Sequence, residues 1–254
     1  MEPTGRYLYG LIRAAGAGDF GPIGLEHEGR PGRVHTVRVD AVGAVVSACA
    51  ATPKLLPLRR NLEPHYRVIR EVMKSTTIVP MAFGHVAASE AQIAARLREE
   101  HEEILDELLR LDGKVEMGLR VKWDVDDIFG YFVAADPELA ALRDRLFGRS
   151  SAPSQAEKIE LGRMFERRLA AAREERTQRV LTVLEGSCAE VDVGTPKEER
   201  VVAELSLLVA REIQEAFEKR IYALAATFPS EYVFQLDGPF APFHFARLEL
   251  GGAA

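Results

Sequence analysis

Lys114-Val115-Glu116-Met117-Gly118-Leu119-Arg120-Val121-Lys122-Trp123 decides the fold class. Val115, Met117, Leu119, Val121 and Trp123 alternate with Lys114, Glu116, Arg120 and Lys122. A period of two places the first set on one side of a β-strand and the second on a wet face. Just before it, Ile93, Leu97, Ile104, Leu108 and Leu111 recur at helical spacing and predict one amphipathic helix. Ser89 and Gln92 stand in capping-box spacing at its start, and Asp112-Gly113 ends it. Helix and half-buried strand side by side in sequence are the mark of an α+β chain.

Working toward the N-terminus, Thr76–Val79 is a β-branched run stopped by Pro80, and Asn61–Lys74 reads as a helix with Pro64 in its first turn. Val34–Val39 and Val42–Ser47 form a hairpin around Asp40-Ala41, Ala14–Gly32 a Gly- and Pro-rich loop, and Tyr7–Ile12 a buried strand. Lys54–Arg60 is a weakly basic loop.

Working toward the C-terminus, Asp124 or Asp126 caps a helix running toward Phe147, and Gly148–Pro153 is a polar linker. Ser154 and Glu157 open a long charged helix to about Glu185, with Leu161, Phe165, Leu169, Ala172 and Val180 as its stripe. Cys188–Val193 is a short strand. Val201–Val209 alternates as a strand does, although Thr195-Pro196 with Glu198 resembles a helix start. A helix over Arg211–Ala226 precedes two closing strands, Glu231–Leu236 and Phe243–Leu250, around Gly238-Pro239, with a loose tail over Gly251–Ala254. The expectation is two α+β domains, residues 1–123 and 124–254, each a small, mostly antiparallel sheet packed by helices.

The bulk numbers narrow the function. A formal net charge of −6 gives no global field for nucleic acid or an anionic membrane, so neither is expected as a partner. Two cysteines, Cys49 and Cys188, form no CxxC pair, which points to reduced, structural thiols in a cytoplasmic protein. No signal peptide and no membrane-spanning apolar run are legible.

Chemistry-bearing motifs are weak. His101 shares the apolar face of its helix, where a packed core histidine competes with a metal ligand or general base. Asp124, Asp126 and Asp127 can cap a helix or hold Mg²⁺. Arg167, Arg168, Arg173, Arg176 and Arg179 alternate with glutamates and read as a solvated face with i,i+4 pairs, phosphate contacts being the other reading. No phosphate loop, dinucleotide fingerprint or GxSxG elbow occurs. The residues therefore suggest a protein-binding chain with no catalytic residue, cofactor or metal.

Three segments, in order, carry a family resemblance: Tyr7-Leu8-Tyr9-Gly10; Thr77-Ile78-Val79-Pro80-Met81-Ala82-Phe83-Gly84 with the later Gly113–Asp124 strand; and Gly238-Pro239-Phe240-Ala241-Pro242-Phe243-His244-Phe245. Together they resemble the gas vesicle protein F/L family over about Arg6–Leu250. The chain departs from it at Ala82, usually arginine, and in the last segment, usually Gly-Pro-Trp-Pro-Pro-Tyr-Ser-Phe.

The resemblance implies a two-domain α+β fold, at least one domain ferredoxin-like, and an accessory role in gas vesicle assembly. It implies association with gas vesicles, no catalytic activity, and the hydrophobic major shell protein and other accessory proteins as partners. A soluble companion shielding a shell subunit would use an open sheet edge and an aromatic surface. Tyr7, Tyr9, Phe83, Phe240, Phe243 and Phe245 are the expected aromatic contacts, with a core role as the competing reading. The first alternative is an adaptor for other accessory proteins through the Ser154–Glu185 helix, with Arg167, Arg168, Arg173 and Arg176 as contacts. The second is a ligand-binding or enzymatic module with His101 and carboxylates in a deep pocket.

Overall fold

The computed structural model describes residues 4–50, 55–150 and 152–248. Contacts divide the chain into a first unit, Met1–Glu116 with Leu208–Glu212 and Gly238–Ala254, and a second unit, Met117–Leu207 with Ile213–Asp237. The expected single boundary after Trp123 differs from this division: the chain changes unit within a strand, and the segment from Gly238 onward returns to the first unit.

The first unit is built around β1 (Thr4–Arg13), whose apolar run is buried from Tyr7 to Ile12. A strand apolar on both faces needs neighbours on both sides. The expected hairpin, β5 (Val34–Val39) and β6 (Val42–Ala50), turns at Asp40, with Val39 opposite Val42. β6 pairs antiparallel along β1, with a register shift between Leu8 and Gly10. β7 (Ile78–Pro80) and β8 (Val86–Ala87) pair with the other side of β1. Gly10 is required there, because a Cβ would lie 2.7 Å from both Val79 O and Ile78 Cδ1.

The expected loop Ala14–Gly32 contains three short strands: β2 (Asp19–Gly21), which pairs with β5, and β3 (Glu26–His27) and β4 (Arg30–Pro31), which pair with each other. Their brevity hides them from a periodicity reading. α1 (Arg59–Val72) starts two residues before the expected Asn61, so Pro64 lies beyond the first turn. Lys54 of the expected basic loop lies outside the described residues, and Arg59 and Arg60 open the helix.

The expected single helix is two, α2 (Glu90–Glu99) and α3 (His101–Arg110), broken at Glu100 (φ −105°, ψ 20°). α2 packs on β5, β6 and β8, and α3 on β1, β6 and β7. A twisted sheet is followed better by two short rods than by one straight one. The Ser89 hydroxyl accepts the Gln92 N–H at 3.2 Å, as the capping spacing predicts. Leu8, Leu11, Val46, Leu97, Ile104 and Leu108 lie in a core joined late in the chain by Leu208 and Phe245.

The second unit takes β9 (Lys114–Trp123), α4 (Ile128–Ala135), α5 (Pro137–Phe147), α6 (Gln155–Leu184), β10 (Glu190–Val193), β11 (Val201–Ala210), α7 (Gln214–Ala225) and β12 (Tyr232–Phe240). The sheet order is β10-β11-β9-β12. This spatial order and the chain order β-α-β-β-α-β make the arrangement ferredoxin-like. Met117, Leu119, Val121 and Trp123 are buried, while Gly118, Arg120 and Lys122 are half-buried, as the alternation predicts.

Three expectations are corrected. The helix toward Phe147 breaks at Asp136-Pro137, where the Asp136 carboxylate caps α5 by accepting from Glu138 N and Leu139 N at 2.9 and 3.1 Å. Asp127, not Asp124 or Asp126, precedes α4, and its side chain makes no capping bond. In place of two closing strands there is one, β12, running through Gly238-Pro239, with Phe243–Phe245 in a turn. The last two residues expected in that second strand, the tail Gly251–Ala254 and Ser151 of the linker lie outside the described residues.

Candidate functional site

The N-terminal aromatic residues enter the core of the first unit. Tyr7 and Tyr9 are 0% exposed, because β1 is covered on both faces. The Tyr7 hydroxyl meets His65 Nδ1 at 2.9 Å and accepts the Gly84 N–H at 3.1 Å. Which of the two donates in the Tyr7–His65 bond depends on the imidazole tautomer. The His65 Nε2 is buried without a partner among the described residues. The Tyr9 hydroxyl bonds Ser47 Oγ and accepts the Leu25 N–H, each at 2.8 Å.

Burial sets the electrostatics of this cluster. It pushes the Tyr7 phenol far above its usual range and the Tyr9 phenol to about 12. Burial, helped by His85, holds His65 down at about 4. Phe83 is half-buried, its ring 6.0 Å from Tyr7 and 5.7 Å from His65. The aromatic surface expected from the sequence therefore loses Tyr7 and Tyr9 to the interior.

The C-terminal aromatic residues divide. Phe245 is 4% exposed and belongs to the core, Phe243 is half-buried, and Phe240 is 42% exposed. Two buried glutamates fasten this stretch within the first unit. Glu107 accepts the Arg247 N–H at 2.7 Å and pairs with Arg110, whose guanidinium also donates to Phe245 O. Glu116 accepts the His244 N–H at 2.9 Å and pairs with His244 Nδ1. Glu116 faces the protein because it holds this strap, against the expectation of a wet face.

The arginines of α6 turn largely inward within the second unit. Arg173 donates to Val201 O, Glu198 O and Glu199 O at 2.9, 3.0 and 2.8 Å. Arg176 bonds the Tyr232 hydroxyl, Arg168 pairs with Asp136 and Glu138, and Arg179 lies 4.3 Å over the Phe228 ring. Arg167, Arg168 and Arg179 are exposed, and of the five Arg167 alone makes no hydrogen bond or ion pair among the described residues. The i,i+4 pairing expected of this row gives way to bonds with neighbouring segments, because α6 lies against them.

The edge of the second unit's sheet stands out. β10 is terminal in the strand order, with Val191 39% and Val193 52% exposed on the same side of the strand. Beside it runs a shallow groove of about 330 Å³ lined by Leu181, Thr182, Gly186, Cys188 and Val191 among others. Burial raises the Cys188 thiol above its usual range. A second groove of about 240 Å³, in the first unit, is lined mainly by charged side chains, Glu103, Asp106, Glu107 and Arg110 among them. His101 lines neither, and its Nε2 is buried without a partner among the described residues. Among the described residues no cluster of His, Cys, Asp and Glu is arranged to hold a metal ion. No helix among them is long and apolar enough to cross a membrane.

In the sequence His35, His65 and His85 read only as scattered histidines that nothing brings together, and the exposed valines of β10 carry no expected role. His65, Val68, Ile69 and Val72 share the inward spacing of α1, so the histidine was findable. The valines alternate with Glu190 and Asp192, a period-two signal that is short but present.

Residues 5–247 match the family model described as gas vesicle synthesis protein GvpL/GvpF. The chain is 26% identical to gas vesicle protein F of Dolichospermum flosaquae over 96% of its length and 98% of the relative's. It is 29% identical to gas vesicle protein F of Streptomyces sp. (strain CB03234), over 95% and 99%. The crystal structure of gas vesicle protein GvpF from Anabaena sp. PCC7120 superposes with a TM-score of 0.81 at 22% identity, covering 97% of this chain and 99% of that one. That of GvpF from Microcystis aeruginosa gives 0.74 at 22% identity, over 96% and 99%.

Proposed function

The chain belongs to the gas vesicle synthesis protein GvpL/GvpF family, and from that premise we propose that it is a non-catalytic, cytoplasmic accessory factor that binds the hydrophobic shell protein. It keeps that subunit soluble and releases it to the growing vesicle.

The observation that carries this reading is the open β10 edge. A wall that excludes water from gas needs subunits with apolar faces, and such subunits aggregate before assembly. An exposed edge offers unpaired N–H and C=O groups to an extended segment, and Val191 and Val193 with the adjoining groove offer apolar contact. Strand addition would satisfy backbone and side chains together. Phe240 and the half-buried Phe83 and Phe243 remain as contacts on the first unit. The adaptor reading through α6 draws less support, because Arg168, Arg173 and Arg176 are already engaged within their own unit.

Co-expression with the shell protein tests the proposal. The soluble, co-purifying fraction of shell protein rises with the wild-type chain. An unchanged soluble fraction and no co-purification would remove the reading.

A further inference from the structure

We propose that the outer flank of α1 in the first unit is a docking surface for an acidic, amphipathic helix of a partner protein. The partner's apolar ridge lies along Leu58, Leu62 and Tyr66, and its carboxylates meet Arg59 and Arg70. This is a second surface, beyond the shell-binding edge, with a partner of different chemistry.

The inner side of α1 is committed: His65, Val68, Ile69 and Val72 are buried. The outer side is not what a solvated helix face should be. Leu58, Leu62 and Tyr66 follow at four-residue steps and so line one flank over about 12 Å. Leu58 is 42% and Tyr66 45% exposed, and Leu62 is half-buried. The Phe243 ring, 5.7 Å from Tyr66, widens the apolar strip, and Leu56, 52% exposed, extends it before the helix. Single exposed apolar residues need no explanation, but a contiguous row marks a contact surface.

Charge identifies the occupant. Arg59 and Arg70 lie on the line next to the apolar flank, three turns or about 16 Å apart. Both, with Arg60, are exposed and make no hydrogen bond or ion pair among the described residues. Other exposed arginines, Arg38, Arg98 and Arg167 among them, also lack an ion pair among the described residues; what sets this pair apart is that it borders an exposed apolar row. An unneutralised basic rim in a chain of net charge −6 selects acidic partners. A row of side chains at four-residue steps is the ridge along which two helices pack, so the occupant is a helix, which satisfies its own backbone. Glu63 at the centre of the basic line disfavours a continuous anionic surface such as a bilayer.

The full chain is titrated, by fluorescence anisotropy, into two labelled synthetic helices of about four turns. Both carry leucine at four-residue steps, one flanked by glutamates and the other by lysines. The acidic peptide binds at least about tenfold tighter, and the double variant Arg59→Glu/Arg70→Glu reverses that preference. Tyr66→Asp weakens both peptides. Equal binding of the two, no binding of either, or an unchanged preference in the double variant overturns the proposal. So does self-association in sedimentation that the double variant abolishes, which would assign the flank to a second copy. Binding to phosphatidylcholine/phosphatidylglycerol vesicles abolished by the same reversal also overturns it. If the reversal lowers the thermal midpoint, Arg59→Gln/Arg70→Gln replaces it, and loss of the acidic preference is then the expected result.

Discussion

The Tyr7 hydroxyl and His65 Nδ1 lie 2.9 Å apart, with both side chains 0% exposed. This pair couples the first unit to pH. Desolvation first, and the nearby His85 second, lower the imidazole to about 4 from 6.5. The unfolded chain therefore takes up the proton more readily than the folded one. His65 supports the fold fully above about pH 6.5, and that support is lost as the pH falls toward 4. His85, also lowered by burial, acts in the same direction. His65→Phe keeps ring volume and removes the titration, so most of the loss in urea midpoint between those pH values disappears. A variant that retained the full slope would disprove the assignment.

Glu107→Ala is expected to loosen the C-terminal strap. It removes the acceptor of the Arg247 N–H and the partner of Arg110. Burial raises the Glu107 carboxyl, but Arg110 and the Arg247 N–H outweigh it and the net direction is down. The carboxylate thus stabilises above the usual carboxylate range and ceases to as pH falls through its lowered value. The expected cost is about 2–4 kcal/mol near neutral pH. Hydrogen exchange at Ala246 and Arg247 should accelerate well before that at β1; equal acceleration everywhere would contradict a local tie.

Two arginines six residues apart on α6 should behave differently. Arg173→Ala strips three carbonyls of their donor and is expected to cost about 1–3 kcal/mol. Arg167→Ala, at an exposed position, should shift the denaturation midpoint negligibly. Equal effects would show that the carbonyl bonds contribute nothing.

Lysine at both Val191 and Val193 should blunt the β10 edge and lower the soluble shell protein recovered on co-expression by about tenfold, with the fold unchanged by circular dichroism. These side chains are exposed, so stability is not the confounder. Undiminished recovery would move the shell contact elsewhere.

Much of this architecture is legible in the residues. The β9 alternation, the capping spacings at Ser89 and Ser154, and the Val34–Val39 hairpin are local signals, and the chain obeys them. The misreadings arise where local pattern meets a longer constraint. Asp136-Pro137 is itself a cap-and-start signature, hidden by the apolar stretch around it. The break at Glu100 has no glycine or proline to announce it and follows from the sheet beneath. Phe243–Leu250 reads as a strand because apolar residues recur along it, yet Phe245, Ala246 and Leu248 are apolar to pack a core, with nearby carbonyl and amide groups held by Arg110, Glu107 and Glu116. The proposed binding surfaces are the least legible, since aromatic content alone cannot separate Tyr9, sealed inside, from Tyr66, open to solvent.

Leu208 and Phe245 complete a core whose other members, Leu8 through Leu111, are translated much earlier. A ribosome making this chain therefore delivers most of the first unit long before the side chains that finish it emerge. Chains stalled or clipped short of Phe245 would present an unfinished hydrophobic interior to the cell's proteases, so quality control here reads the end of the message through the state of its beginning.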